Sequence, residues 1–323
     1  MVLSIHNLSV GFQTRGGMSK VVDNVSFDLE RGRPLGLVGE SGCGKTTIGM
    51  TLMGLLPDNA CLLGGEIFLG EDDLAKYSRR QWQGVRGRRI AMVFQAAMNA
   101  LNPVQRVDDQ VRESILAHHP DLSRAQLDHR VVQLFEMVKI PFSRSRDYPH
   151  EYSGGMKQRV VIAMALACDP EVIIADEPTT ALDVIVQDQI LTELRRIQKK
   201  MDTGLIFISH DMAVVASVCE DICVMYGGQI VEMGTKEEVF CSPCHPYTRV
   251  LLGSYLSLDT DRRLEIPIMG EAADFLSRPG VCRFMSSCNV CSGACDIEGP
   301  HWVSISPTHR VYCSQVEEGG RNG

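Results

Sequence analysis

The stretch GESGCGKTT, Gly39 to Thr47, has the residue types and spacing to hold a chain of phosphates. Gly39, Gly44, Lys45 and Thr46 fit G-x-x-x-x-G-K-[ST], with Glu40, Ser41, Gly42 and Cys43 as the intervening turn and Thr47 directly behind it. Glycines let successive N–H groups turn inward, and a helix opening at Lys45 would add its partial positive charge. The Lys45 ammonium can then reach β- and γ-phosphates, and the Thr46 hydroxyl can ligate Mg²⁺. A plain glycine-rich turn would not require Lys and Thr at these offsets behind an apolar strand, LGLV.

A second stretch, EVIIADEP, carries Asp176 and Glu177 at the end of a buried strand. Asp176 there can hold Mg²⁺ through water, and Glu177 can polarise an attacking water. Two acids at a strand end could be solvated punctuation, but beside a phosphate loop they read as reaction chemistry. A third stretch, VCRFMSSCNVCSGAC, Val281 to Cys295, packs four thiols into fifteen residues.

These groups need a scaffold. The chain has 323 residues, 44 % hydrophobic and 22 % charged, enough for a large core in about one or two domains. Its net charge of −8 argues against a general nucleic-acid binder, so no nucleic-acid partner is expected. MVLSIHNLSVGF lacks a basic start followed by an apolar run, so no secretory signal is expected. No apolar run approaches the roughly 18–20 residues that cross a bilayer. A cytosolic setting follows, in which the twelve cysteines stay reduced.

Residues 1–95 read as short strands and tight turns, among them VVDNVSFDLE, RPLGLVG and GEIFLGEDD. From 101 to 140 the period changes. Val107, Val111 and Ile115, then Leu127, Val131, Leu134 and Val138, recur three or four apart, as on a helix face. Buried strands (EVIIAD, GLIFISH) then alternate with helices (VQDQILTELRRIQKK, MAVVASVCE). The pattern predicts an α/β fold with a parallel sheet and a helical insert. Composition shifts to Pro, Cys and Ser beyond about 235–245, where a boundary is expected.

YSGGMKQR, Tyr152 to Arg159, together with the other segments, resembles the signature sequence of ABC-transporter ATPases, usually L-S-G-G-Q. Ser153, Gly154 and Gly155 are retained; Tyr152 and Met156 replace the usual Leu and Gln. The resemblance implies further roles. Phe12 would stack on adenine, Gln95 would sense the γ-phosphate and Mg²⁺, Asp183 in ALD would lie on the loop crossing between paired subunits, and His210 would be the switch histidine. Catalysis would rest on Glu177, His210 and Gln95, and Mg²⁺ on Thr46, Gln95 and Asp176. ATP would lie between this phosphate loop and the Ser153–Met156 signature of a second subunit.

A narrower resemblance, carried by MNALNP, YPHEYSGGMKQRVVIAMALA, ADEPTTALDV, VMYGGQIVE and CHPYTRVLL, is to ATP-binding subunits of dipeptide, oligopeptide and nickel importers. It implies a P-loop NTPase core (1–238) with a small antiparallel β subdomain and a helical signature subdomain (about 97–160), followed by a Cys-rich C-terminal extension (239–323). It also implies a second, different ATPase subunit, two transmembrane permease subunits, an extracytoplasmic solute-binding protein reached through them, and a place on the cytoplasmic face of the inner membrane. Ala96 and Ala97 depart from the acid and proline usual beside Gln95, at the loop that docks the membrane subunit. A soluble ABC ATPase acting on DNA would carry a long coiled coil between its motifs, and a translation factor two cassettes; the spacing fits neither.

Importer tails of this kind commonly show four cysteines spaced as Cys282, Cys288, Cys295 and Cys313, with Cys291 then the extra thiol. Disulfides do not suit the compartment, and the gaps are wider than zinc knuckles. Four thiolates on an irregular loop suit a [4Fe–4S] cluster, with zinc as the alternative. CSPCH, Cys241 to His245, spells a haem-attachment motif, but that chemistry belongs outside the cytosol and HPYT alone recurs in the importer subunits.

Overall fold

Runs such as VIIAD and GLIFIS become strands in which every residue is buried. They lie between two apolar layers, so the sequence shows continuous hydrophobicity in place of alternation. The computed structural model describes residues 1–94, 100–180, 182–256, 281–291, 295 and 299–317.

Strands β1 (Leu3–Thr14) and β2 (Gly17–Leu29) form a hairpin, and β3 (Leu35–Val38) leads through the phosphate loop into α1 (Lys45–Leu52). Strand β4 (Ala60–Leu69) pairs back onto β1 and β5 (Asp72–Asp73) onto β4; α2 (Arg79–Gln83) and β6 (Ile90–Val93) follow. Three helices come next: α3 (Val107–Leu116), α4 (Arg124–Met137) and α5 (Gly154–Ala165). The chain then alternates through β7 (Val172–Asp176), α6 (Val184–Met201), β8 (Gly204–Ser209), α7 (Met212–Val218) and β9 (Asp221–Tyr226). It continues through β10 (Gln229–Thr235), α8 (Lys236–Cys241), α9 (Pro246–Leu256), β11 (Trp302–Ser304) and β12 (Arg310–Tyr312).

The strands make two sheets, an antiparallel β2-β1-β4-β5 and a mixed β11-β12-β10-β9-β3-β8-β7-β6. Strands β9, β3, β8, β7 and β6 are mutually parallel. Neighbouring residues of one strand enter different cores. On β8, Leu205 and Phe207 join the helices, while Ile206 and Ile208 join the core shared with the antiparallel sheet. Truncating the fully buried Phe207 to alanine would cost about 3–5 kcal/mol. The helical insert buries Val107, Val111, Ile115, Leu127, Val131 and Leu134, the face its periodicity predicts.

The chain beyond residue 239 adds to the same sheet, because β12 pairs antiparallel with β10. Glu232 on β10 is fully buried and fastens this part. Its carboxylate accepts from the backbone N–H groups of Cys244 (2.7 Å) and His245 (3.0 Å) and pairs with His309 Nε2 at 2.7 Å. An unpaired buried carboxylate would be costly; three donors from the tail offset that cost.

Candidate functional site

The parallel register puts the candidate residues on one edge. Val38 stands level with Ser209, and Asp176 with Ile208. The phosphate loop after β3, the acids ending β7 and His210 after β8 therefore emerge together at the carboxyl ends of adjacent strands, where ligands bind in open α/β sheets.

Two glycines are required by the loop's path. A Cβ at Gly39 would lie 2.1 Å from the Met225 carbonyl oxygen, and Gly44, the N-cap of α1, has φ +103°. The loop's outer rim, Glu40, Ser41, Gly42 and Thr46, is exposed, while Cys43, Gly44 and Lys45 are buried. Burial pushes the Cys43 thiol up, keeping it a neutral packing group. Lys45 Nζ donates to the carbonyls of Gly39 and Glu40, each at 2.7 Å.

The Thr46 hydroxyl donates to Asp176 Oδ1 at 3.3 Å. Asp176 is 1 % exposed; burial raises its pKa, and the Thr46 bond opposes that rise. A buried carboxylate beside a threonine hydroxyl is a hard-oxygen donor set of the sort Mg²⁺ takes. The next residue, Glu177, has φ +45°, a left-handed conformation that costs a residue other than glycine roughly 1–3 kcal/mol. Its N–H donates to the Ile208 carbonyl at 2.9 Å. Its carboxylate is met by His210 Nδ1 at 2.7 Å and the Thr180 hydroxyl at 3.0 Å. The strained turn swings the second acid out of the strand while the neighbouring strand holds its backbone.

The signature segment opens helix α5. Ser153 is the N-cap, exposed, and its hydroxyl accepts from the Met156 N–H at 3.4 Å; Gly154 and Gly155 make the first turn. A Cβ on Gly155 would come within 2.5 Å of Val186 Cγ1, so the segment packs on the start of α6. Asp183 caps that helix by accepting from the Val186 N–H at 3.0 Å. Sequence reading missed the next two residues, Val184 and Ile185, which are 81 % and 73 % exposed. Two β-branched residues directly behind a capping acid were the available signal.

Phe12 stands on β1, half-buried, cross-strand from Ser19 and Ala60 and within the small-sheet core. Strand β2 reaches the phosphate loop, with the Val21 carbonyl 3.0 Å from where a Gly44 Cβ would sit. Gln95, Ala96 and Ala97 lie outside the described residues.

In the tail, Cys282, Cys288, Cys295 and Cys313 line one small pocket with Cys291. Cys295 and Cys313 are buried, Cys282 and Cys288 partly so, and Cys291 is exposed. Burial pushes the Cys282 thiol up to about 11, and the neighbouring sulfurs of Cys313, Cys288 and Cys295 push the same way. Cysteines are the residue type a thiolate-ligated centre takes, and its assembly would release their protons. The described residues whose ligand atoms already lie within 4.8 Å of one another are instead Glu232, Cys244 and His309. His245, from the haem-like motif, is 1 % exposed and accepts from the Tyr247 N–H at 3.1 Å through Nδ1.

Residues 22–180 match the family described as ABC transporter, and residues 231–295 match that described as oligopeptide/dipeptide transporter, C-terminal region. The chain is 44 % identical to the dipeptide transport ATP-binding protein DppD of Bacillus subtilis, over 97 % of its own length and 94 % of that protein's. It is 42 % identical to the oligopeptide transport ATP-binding protein OppD of the same organism, over 96 % and 87 %. Among solved structures, a dimeric ATP-binding cassette in a post-hydrolysis state bound to ADP and Pi superimposes with a TM-score of 0.64 at 23 % identity, covering 72 % of this chain and 98 % of that one. The cassette cbiO1 of Clostridium perfringens, part of the ABC transporter complex cbiONQ, gives 0.65 at 25 %, covering 80 % and 95 %.

Proposed function

The chain belongs to the ATP-binding subunits of ABC peptide importers, enzymes that hydrolyse ATP to energise uptake, and from that membership we propose how its residues divide the work. Subunits of this family are peripheral membrane proteins that pair with another ATPase and with permeases. Among the described residues, no helix is long and apolar enough to cross a membrane.

The loop from Gly39 to Thr47 holds the phosphates of ATP through its N–H groups and the Lys45 ammonium, and Phe12 stacks on adenine. Thr46, Asp176 and Gln95 would hold Mg²⁺, which would supply charge neutralisation for the phosphates. Glu177 accepts a proton from the attacking water as its oxygen bonds to the γ-phosphorus and the bond to the β–γ bridging oxygen breaks. ADP and phosphate result. His210 keeps the Glu177 carboxylate aimed, and Gln95 reports the γ-phosphate. Ser153, Gly154, Gly155 and Met156 complete the partner's site, with Asp183 at the seam. The observation that carries this reading is the convergence of the Thr46–Asp176 and Glu177–His210 pairs on the edge where the phosphate loop opens.

The transported solute on this reading is a peptide, with nickel as the competing small solute, delivered by an extracytoplasmic binding protein that touches only the permeases. The partner ATPase is a different chain, and both sit on the cytoplasmic face of the inner membrane. Residues 239–323 form an extension carrying a [4Fe–4S] cluster on Cys282, Cys288, Cys295 and Cys313; zinc is the competing occupant.

Reconstitution tests the assignment. The isolated chain should hydrolyse ATP weakly, and adding the second ATPase and the permeases in proteoliposomes should raise the rate and make it respond to peptide-loaded binding protein. A fully active monomer without concentration dependence contradicts it.

A further inference from the structure

We propose that Tyr247, in the C-terminal extension, is a positioning residue for the phosphate-binding loop, so that the extension sets the cassette's affinity for nucleotide. The inference rests on the nucleotide reading above and adds a residue to it from the far end of the chain.

Tyr247 is the second residue of α9 and is 1 % exposed. Its hydroxyl accepts a hydrogen bond from the Glu40 backbone N–H at 3.1 Å, across 207 residues of sequence. That N–H shares one planar peptide unit with the Gly39 carbonyl, and the Gly39 carbonyl accepts from Lys45 Nζ at 2.7 Å. Tyr247 and Lys45 therefore grip opposite ends of the same plane. The peptide cannot rotate to turn its N–H inward, or its carbonyl away from Lys45, without breaking the Tyr247 bond. Gly39 is itself crowded, since even a Cβ there would lie 2.1 Å from the Met225 carbonyl oxygen.

The tyrosine is itself braced. Its ring lies 4.7 Å from that of Tyr226 and 5.5 Å from that of Phe284, which stands edge-on to it. Phe284 also meets Tyr226 at 5.2 Å. Phe284 follows Cys282 by two residues, and Arg283 between them donates to Asp23 Oδ2 at 2.9 Å and to the Gly227 carbonyl. Burial pushes the Tyr247 hydroxyl up, so it stays un-ionised, and pushes His245 down to about 4, leaving the neutral ring to accept the Tyr247 N–H through Nδ1. A continuous packed path runs from the cysteine pocket to the phosphate loop.

If Tyr247 only filled space, phenylalanine would replace it without consequence, because the ring contacts remain. The full-length Tyr247→Phe protein is compared with wild type by titration with a fluorescent ATP analogue and Mg²⁺, by amide hydrogen exchange, and by KM and kcat in the assembled transporter. Loss of one neutral hydrogen bond should weaken nucleotide binding about 3- to 10-fold and raise KM alike, with kcat nearly unchanged. Exchange at Glu40 should quicken while β7 amides keep their protection. Binding within twofold of wild type with unchanged Glu40 exchange overturns the proposal, as does a loss of protection spread evenly through the central sheet. A wild-type chain without affinity for MgATP would mean that the nucleotide reading had failed; the Glu40 exchange rate would still decide whether Tyr247 holds the loop.

Discussion

His210 Nδ1 lies 2.7 Å from Glu177 Oε1, although the two residues come from different strand ends. An ionised carboxylate can only accept, so the ring proton sits on Nδ1 when Glu177 is charged. The Thr180 hydroxyl takes the other oxygen, Oε2, at 3.0 Å. Together they fix the plane of the carboxylate, and the left-handed backbone of Glu177 fixes where it starts. Orientation is most of what phosphoryl transfer asks of a protein.

Glu177→Gln keeps the shape and a carbonyl oxygen facing His210 but removes the base. Hydrolysis in the assembled transporter should fall by at least about 10³-fold while ATP still binds, and a closed ATP-bound complex should accumulate on gel filtration. His210→Ala should cost less in rate than Glu177→Gln, because it frees the carboxylate without removing it. Near-normal turnover by Glu177→Gln would refute the assignment.

Asp176 is buried and bonded to the Thr46 hydroxyl, so Asp176→Asn keeps the bond and deletes the charge. The Mg²⁺ concentration for half-maximal hydrolysis should rise about 10- to 100-fold, the range for a residue that orients a metal's ligands. The melting temperature without Mg²⁺ should stay level or rise, because burial disfavours the charged form. An unchanged Mg²⁺ requirement would remove Asp176 from the site.

Val184 and Ile185 are bare next to Asp183, so charging them should spare the fold and strike the pairing of subunits. In a Glu177→Gln background, Val184→Asp with Ile185→Asp should weaken ATP-dependent association by tenfold or more in sedimentation velocity. The melting temperature of the isolated chain should hold within about 2 °C, as for exposed positions away from special features. Undiminished association would place the seam elsewhere.

Much of this site is legible in the sequence because each part is local. The phosphate loop is nine consecutive residues, and Asp176 and Glu177 end a run apolar enough to declare itself a buried strand. Legibility ends where partners are remote. Nothing in HPYT shows that Tyr247 meets Glu40, and nothing in WVS or RVY shows three-residue strands joining the main sheet. Strands that short carry no period, and their anchor, the Glu232–His309 pair, spans 77 residues. Val184 and Ile185 mislead for the opposite reason: apolar character predicts burial, and both side chains are exposed.

Glu238 ties α8 to the turn before β12 through Ser306 and Thr308, and its carboxylate also accepts from the N–H of Thr235, the N-cap of α8. Burial raises its pKa, but these hydrogen bonds outweigh that and bring it down to about 2, from 4.5. A depressed carboxylate contributes stability above its unfolded pKa and loses it as pH falls toward the folded one. The gap in melting temperature between wild type and Glu238→Gln should therefore be constant from pH 8 to about 5 and shrink below 4.5. A gap that widens on acidification would show the bonds to be unimportant.

The cysteine pocket makes the sharpest demand on composition. Cys282, Cys288, Cys295 and Cys313 line it, and desolvation pushes the thiols of Cys282, Cys288 and Cys313 up in pKa. Left as thiols they would be small hydrophobes in a tail whose separate apolar cluster among the described residues is small, Val303, Val311, Cys313 and Val316 with Cys244 and Ile305 against them. A centre that releases their protons would tie four points of that tail together, and its binding free energy would become folding free energy. Protein purified without oxygen should be brown and contain about four irons and four sulfides per chain. Cys295→Ser or Cys313→Ser should lose the colour and lower the melting temperature. Cys291→Ser should keep both, because Cys291 lies on the exposed rim. A colourless protein with one zinc per chain would make the site a structural zinc, and a metal-free protein as stable as its serine variants would leave four packing thiols.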